Sequence, residues 1–188
     1  SIKSAGGADS VVVVTTGVAV SKSADGEEDD PHVWHDPKNA KVMIDNIVKA
    51  LGAADPANAA LFRANGDAYN LKLDAADKEA RSLIDSIPVA NRKMVTNHDA
   101  FGYFLRAYGL TFVGAVIPST SSEAQPSAKV LAELQDLIKR EGVKAIFAEE
   151  ELDPKVAREL SKDTGVKIID NLYADSLGKP GSGAETVD

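Results

Sequence analysis

The stretch KMVTNHDAFGYFLRAYGLTFVGAV, residues 93–116, decides the fold class, because two short apolar segments flank an amphipathic one. Lys93 to Thr96 and Thr111 to Val116 are predicted strands, since each is short, apolar and bounded by turn residues. Between them, Ala100 to Tyr108 is a predicted helix that ends at Gly109. A strand, a helix and a second strand therefore follow one another at close spacing.

The same alternation continues towards the C-terminus. It consists of a predicted helix at Pro126 to Arg140, a strand at Ala145 to Ala148, a helix at Pro154 to Thr164 and a strand at Lys167 to Ile169. Close alternation of strands and helices is typical of a parallel sheet with helices on both faces. The sequence therefore predicts an α/β fold.

The region before residue 93 has a different pattern. Asp36 is a predicted N-cap for a helix over Pro37 to Leu51, and Gly52 is its predicted end. A second helix is predicted from Pro56 to about Ser86, which at 1.5 Å per residue is a rod of roughly 45 Å. A helix of this length in a small α/β protein is expected to connect two bodies.

Two shorter segments precede these helices. Val11 to Val14 is a β-branched run that we interpret as a buried strand. Ser21 to Asp30, SKSADGEEDD, is a polar segment rich in acidic residues. It is compatible with a solvated surface loop or with a weak cation-attracting lip beside a site.

Composition excludes several classes of function. The 188 residues include no cysteine, so disulfides, thiolate nucleophiles and zinc ribbons are excluded. The formal net charge of −8 argues against nucleic acid as a partner. No apolar run approaches the length of about 20 residues that a membrane span needs, and Ser1 to Ser10 show no signal-peptide pattern.

Imidazoles are few and concentrated in two segments. His98 follows a predicted strand, and His32 and His35 flank the only tryptophan. Ligands of open parallel sheets bind beyond the carboxyl ends of the strands, and histidine is the commonest metal ligand. These residues alone leave both a metal site and ordinary surface histidines open, whereas nucleotide-binding and nucleophile-elbow motifs are absent.

Four stretches match a known family in the order in which that family carries them. They are DPHVWHDP at 30–37, TNHDAFGYF at 96–104, VKAIFAEEELDPK at 143–155 and LYADSLG at 172–178. The chain resembles the zinc/manganese substrate-binding proteins of ABC transporters, the ZnuA/TroA-like family. That family includes the PsaA-type metal-binding lipoproteins, which are also linked to cell adhesion.

The resemblance implies a two-lobed α/β protein with parallel sheets, whose lobes are joined by one long helix. Residues 1–54 would be the remainder of an incomplete N-terminal lobe, 55–87 the linking helix and 88–188 the C-terminal lobe. The resemblance also implies a monomer outside the bacterial cytoplasmic membrane, periplasmic or a cell-surface lipoprotein. It would deliver a divalent metal to an ABC permease without catalysing a reaction.

The resemblance also implies the ligands. His32, His98 and Asp175 match the family's metal-binding positions, and a further histidine belongs to an N-terminal part that this chain lacks. His35 lies outside the family's ligand set, and Glu149 is expected to orient a histidine ring. Because imidazoles dominate the set, zinc is favoured and manganese is the second choice.

Two other functions stay open at this point. One is a zinc metallohydrolase on an α/β fold, with Glu149 or Glu150 as the base beside an open metal position. The other is a truncated lobe that binds no metal.

Overall fold

A four-stranded parallel sheet forms the centre of the molecule, as predicted. The structure is a computed structural model that describes residues 11–150 and 152–186. The strands lie side by side in the order β2, β1, β3, β4. Their bounds are β1 Lys93–His98, β2 Thr111–Ile117, β3 Ala145–Glu149 and β4 Lys167–Leu172.

The helices of the described residues also follow the prediction closely. Their bounds are α1 Pro37–Ala54, α2 Ala59–Asp85, α3 Gly102–Tyr108, α4 Ala128–Glu141 and α5 Lys155–Thr164. Asp36 caps α1 by accepting a hydrogen bond from the Lys38 amide. The predicted end at Gly52 is wrong, because α1 continues to Ala54 and ends before Pro56, whose ring excludes the preceding residue from helical geometry.

Hydrophobic cores cover both faces of the sheet. Val95 and Ile146 belong to the core beneath α4 and α5, together with Ile138. Met94 belongs to the opposite core with Leu105 of α3. Since successive side chains of a strand point to opposite faces, the neighbours Met94 and Val95 serve one core each.

The sheet has a switch point between β1 and β3. These strands are adjacent and parallel, but β1 is followed in sequence by β2 on one side and β3 by β4 on the other. The connecting loops therefore diverge and leave a crevice at the carboxyl ends, where open α/β sheets bind ligands. His98 is the last residue of β1 and Glu149 the last of β3.

The long helix is confirmed as α2, whose 27 residues span about 40 Å. On one side it contacts α1, where Arg63 binds Asp45 at 2.8 Å. Towards its C-terminal end it contacts α3, where Tyr108 donates a hydrogen bond to Asp77 at 2.9 Å. Over the described residues, we find no helix with the length and apolar character of a bilayer span.

The strand predicted at Val11 to Val14 is wrong. This segment forms no strand within the described residues, and Val11 to Val13 are half or more exposed. The amide of Asn46 in α1 donates hydrogen bonds to the carbonyl groups of Val14 and Thr16, which holds the segment as a turn. β-branched residues favour strands only where a neighbouring strand supplies backbone partners.

Gly66 of α2 lies where α1 crosses, and we expect alanine there to destabilise the protein. A Cβ at this position would lie 2.6 Å from Cγ2 of Val48, a stiff β-branched side chain. Gly52 is also helical, but its Cβ would meet Ala59 at an ordinary 3.4 Å. Thermal unfolding should therefore show a lower melting temperature for Gly66→Ala. It should show an unchanged or higher one for Gly52→Ala, since alanine favours a helix by up to about 1 kcal/mol. Equal effects would contradict close packing at Gly66.

Candidate metal centre

Three polar side chains meet at the crevice between β1 and β3. Nε2 of His32 lies 3.4 Å from Nε2 of His98. The carboxylate of Asp175 lies 3.7 Å from His32 Nε2 and 3.6 Å from His98 Nε2. One ligand atom from each residue lies within 4.8 Å of the other two. The structure thus brings together the three residues that the family resemblance singled out.

Each of the three residues comes from a different part of the fold. His98 is at the carboxyl end of β1, a central strand of the sheet. His32 directly precedes a 3-10 turn, Val33–His35, that leads into α1. Asp175 lies in the loop after β4. Both histidines are buried, whereas 39% of the Asp175 side chain is exposed, so the centre is open to solvent on the carboxylate side.

Glu149 contacts His98 on the ring edge that faces away from the cluster. Its Oε2 lies 2.7 Å from His98 Nδ1, although the two atoms are not aligned as a hydrogen bond, and its Oε1 accepts the His98 amide at 3.2 Å. Burial by itself lowers the pKa of His98. The negative charges of Glu149, Asp175 and Asp99 more than offset this, so the net pKa is raised above the ordinary value. The predicted contact between Glu149 and a histidine ring is present.

Asp30 has the corresponding position beside His32. Its Oδ1 lies 2.7 Å from His32 Nδ1 and also accepts the His32 amide at 3.0 Å. Asp30 is buried, so it does not belong to the solvated acidic loop in which the sequence placed it. The sequence signal for this contact is the place of Asp30 in the DPH triplet, two residues before His32. The contact of Asp30 with the His32 ring was not predicted from the sequence.

A buried carboxylate oxygen lies 2.7 Å from Nδ1 of each histidine and favours a proton on that nitrogen. When Nδ1 carries the proton, Nε2 presents a lone pair, which is the form of imidazole that binds a metal ion. Both Nε2 atoms face Asp175 across less than 4 Å. Two imidazole nitrogens and one carboxylate oxygen form a donor set suited to a divalent transition metal.

Trp34 joins the loop that carries Asp175 to the segment that carries His32. Its indole Nε1 donates a hydrogen bond to the Ala174 carbonyl at 3.0 Å. The Trp34 ring also meets the His32 ring edge to face, with centroids 5.5 Å apart. Direct contacts of Trp34 therefore link the segments that carry Asp175 and His32.

His35 lies outside the cluster, on the far side of His32. Its ring packs against Phe101 with centroids 4.8 Å apart, and its centroid is 6.4 Å from that of His32. His35 is not among the residues whose ligand atoms converge. The structure therefore places it beside the site as a packing residue.

The fold and the site define a class, namely an α/β protein with a candidate metal-binding centre at its switch point. A family model described as "Zinc-uptake complex component A periplasmic" matches residues 1–187. The chain belongs to this ZnuA family. The resemblance predicted from the four motifs is confirmed.

Several characterised relatives carry the names of metal transport proteins. The metal ABC transporter substrate-binding lipoprotein SloC of Streptococcus mutans is 31% identical over 85% of this chain and 51% of its own length. The iron-binding protein YfeA of Yersinia pestis is 33% identical over 88% of this chain and 53% of its own. The manganese lipoprotein PsaA of Streptococcus mitis is 31% identical over 85% and 51%. The chain spans about half the length of these relatives.

Solved structures agree with the fold. A manganese-bound mutant of the periplasmic metal-binding protein of Candidatus Liberibacter asiaticus superposes with a TM-score of 0.83 at 26% identity, over 94% of this chain and 65% of that one. A mutant of the laminin-binding adhesin of Streptococcus agalactiae gives a TM-score of 0.79 at 29% identity, over 90% of this chain and 64% of that one. The predicted α/β fold of this protein class is confirmed. The predicted extracytoplasmic location is confirmed at the level of the family, whose members are named periplasmic proteins and lipoproteins.

Proposed function

We propose that this chain is the metal-capturing part of an extracytoplasmic binding protein that delivers a divalent transition metal to an ABC permease. The observation that supports it most directly is the convergence of His32, His98 and Asp175, whose ligand atoms lie within 4.8 Å of one another. Two of the three are buried, and each has a carboxylate oxygen 2.7 Å from its Nδ1. Geometry of this kind is costly to maintain in a metal-free protein, because it gathers acidic groups in a confined space.

We favour zinc as the metal, with manganese as the second choice. Imidazole nitrogens suit zinc, whereas manganese prefers carboxylate and water oxygens. The candidate set has two imidazoles for one carboxylate, and zinc accepts a tetrahedral mixture of nitrogen and oxygen. The relatives are named for manganese and iron as well as for zinc uptake, so the donor set is the basis of this preference.

The division of the chain that we propose follows the packing of α2. Residues 1–54 would belong to one lobe, 55–87 to the linking helix and 88–188 to the other lobe, with the metal bound between them. His32 comes from the first of these parts, and His98 and Asp175 come from the last. A monomer is sufficient for this site, because all three side chains come from one chain.

Catalysis is the less favoured alternative. A metallohydrolase would need a carboxylate directed at a metal-bound water, and Glu149 is the buried candidate. Both oxygens of Glu149 instead face His98, one at the backbone amide and one at Nδ1. We therefore propose that the protein is not an enzyme. Glu149→Gln should lower zinc affinity, and wild-type protein loaded with zinc should show no turnover of ester or phosphate probes.

Zinc retention tests the proposed function directly. Protein equilibrated with Zn²⁺ and dialysed against metal-free buffer should retain one zinc per chain, as measured by elemental analysis. A parallel titration with Mn²⁺ should show weaker binding. Absence of retained metal would favour the remaining reading from the sequence, a truncated lobe that binds no metal.

Acidification is expected to weaken zinc binding. A proton on Nε2 competes with the metal, so affinity is full above the histidine pKa and falls as the pH drops through it. Glu149 and its acidic neighbours raise the pKa of His98. The loss of affinity should therefore set in at a higher pH than it would for an ordinary histidine, whose pKa is about 6.5. Zinc titrations from about pH 8 to pH 5 at constant ionic strength measure it. An affinity that does not change over this range would exclude imidazole ligands.

A further inference from the structure

The hydroxyl group of Tyr103 connects α3 to the loop that precedes His32. It accepts a hydrogen bond from the Ser21 amide at 2.8 Å and donates one to the Asp30 carbonyl at 3.1 Å. The Asp30 amide in turn donates to the Ser21 carbonyl at 2.8 Å. One buried hydroxyl therefore binds both ends of the 21–30 loop, Ser21 and Asp30, which are also hydrogen-bonded to each other.

Asp30, the last residue of this loop, controls the orientation of the His32 ring. Oδ1 of Asp30 accepts a hydrogen bond from the His32 amide and is also hydrogen-bonded to His32 Nδ1. Fixing the backbone of Asp30 thus fixes the carboxylate, and the carboxylate fixes the tautomer and the direction of the imidazole ring. The chain of contacts runs from Tyr103 through Asp30 to the Nε2 atom that faces the cluster.

The fit of Asp30 against α3 leaves little room for movement. A Cβ on Gly102 would lie 2.6 Å from Asp30 Oδ2, so the carboxylate packs directly against the first residue of the helix. A second hydrogen bond supports the same loop farther out, where Asp99 accepts the Ala24 amide at 2.8 Å. The 21–30 loop is therefore attached both to α3 and to the segment after β1. Of these two attachments, the one made by Tyr103 is the more closely connected to His32, because it acts on Asp30.

We propose that Tyr103 is a positioning residue for metal capture, which acts on His32 through Asp30 without touching the ion. This inference rests on the proposed function. It gives a side chain of the C-terminal part, residues 88–188, the task of aligning a ligand that residues 1–54 supply. Metal affinity then depends on how firmly the 21–30 loop is docked, as well as on the ligands themselves.

Tyr108 provides a matched control on the same helix. Both tyrosines are almost fully buried, with 4% and 7% of their surface exposed. The hydroxyl of Tyr108 donates to Asp77 of α2 instead of to the His32 loop. Phenylalanine at either position removes one buried, hydrogen-bonded hydroxyl and keeps the ring, so both variants carry a cost to folding.

Zinc affinity of the two variants, measured by competition with a chromophoric chelator, tests the proposal. Tyr103→Phe should bind Zn²⁺ about tenfold more weakly than wild type. Tyr108→Phe should bind within about twofold of wild type, since a loss of stability away from the site leaves the site intact. Equal affinity of Tyr103→Phe and wild type would overturn the proposal.

A spectroscopic measurement on the metal-free protein separates positioning from stability. The chain has three histidines, so their ring ¹⁵N signals can be assigned with single variants. Wild type should show His32 as the Nδ1–H tautomer, and Tyr103→Phe should show a mixture, with His35 unchanged. An unaltered His32 signal in Tyr103→Phe would overturn the inference, whether or not the protein binds zinc. Absence of zinc binding by the wild type would instead count against the proposed function. If Tyr103→Phe does not fold, Gly102→Ala is the substitute variant, because its methyl group would crowd the Asp30 carboxylate. It should disturb the same His32 signal and lower the affinity for zinc. An unchanged His32 signal would again refute the proposal.

Discussion

Replacing His98 by alanine is expected to lower zinc affinity by at least about tenfold, since it removes one of the imidazole ligands proposed here. Nε2 of His98 lies within 4 Å of both His32 Nε2 and the Asp175 carboxylate, so its loss opens the centre of the cluster. It also leaves the Glu149 carboxylate buried without the ring that it contacts. Titration calorimetry with Zn²⁺ measures the effect.

His35→Ala is the control for this prediction. His35 belongs to the same short segment as His32, but it packs against Phe101 and lies outside the cluster. Its replacement should change zinc affinity little. Equal losses for the two variants would disprove the assignment of ligands, because the structure separates the two histidines so clearly in position.

Leu73→Ala in the long helix is expected to destabilise the protein by about 2–5 kcal/mol, the usual cost of truncating a buried leucine. Leu73 is 2% exposed, and it borders a cavity that Trp34 and Tyr108 also line. Since the cavity already exists on one side, the cost should fall in the lower part of this range. The free energy of unfolding in urea, measured on metal-free protein, is the relevant quantity.

Leu71 lies two residues away on the same helix and is 71% exposed. Leu71→Ala removes the same atoms from solvent instead of from a core, so the free energy of unfolding should change by less than about 0.5 kcal/mol. A similar cost at both positions would mean that the inner face of α2 is not packed as described. The pair therefore tests the contact between the long helix and the rest of the molecule.

Much of the fold could be predicted because its signals are local. The run from residue 93 to 116 shows strand, helix and strand through hydrophobic spacing and a terminal glycine, and β1, α3 and β2 follow it closely. The long helix α2 was predicted from an uninterrupted run of helix-compatible residues. The strand at Val11 to Val14 failed because a strand needs a pairing partner, and the pattern of one segment contains no information about its neighbours.

The candidate site divides in the same way. The family motifs drew attention to His32, His98 and Asp175, and their convergence required the fold, since His32 and His98 are 66 positions apart in sequence. The roles of Asp30 and Tyr103 were not predicted. Asp30 stood in an acidic run that is ordinarily solvated, but here it is buried and its carbonyl accepts a hydrogen bond from a tyrosine of α3.

The sequence by itself determined the α/β class, the long helix and the residues that carry metal-binding chemistry, since these depend on short-range periodicity and on the presence of rare imidazoles. Only the tertiary structure decided which carboxylate faces each histidine and which loop holds them in place. Those contacts join segments distant in the chain, and their energies depend on burial and direction, which appear only when the sheet and its loops have come together.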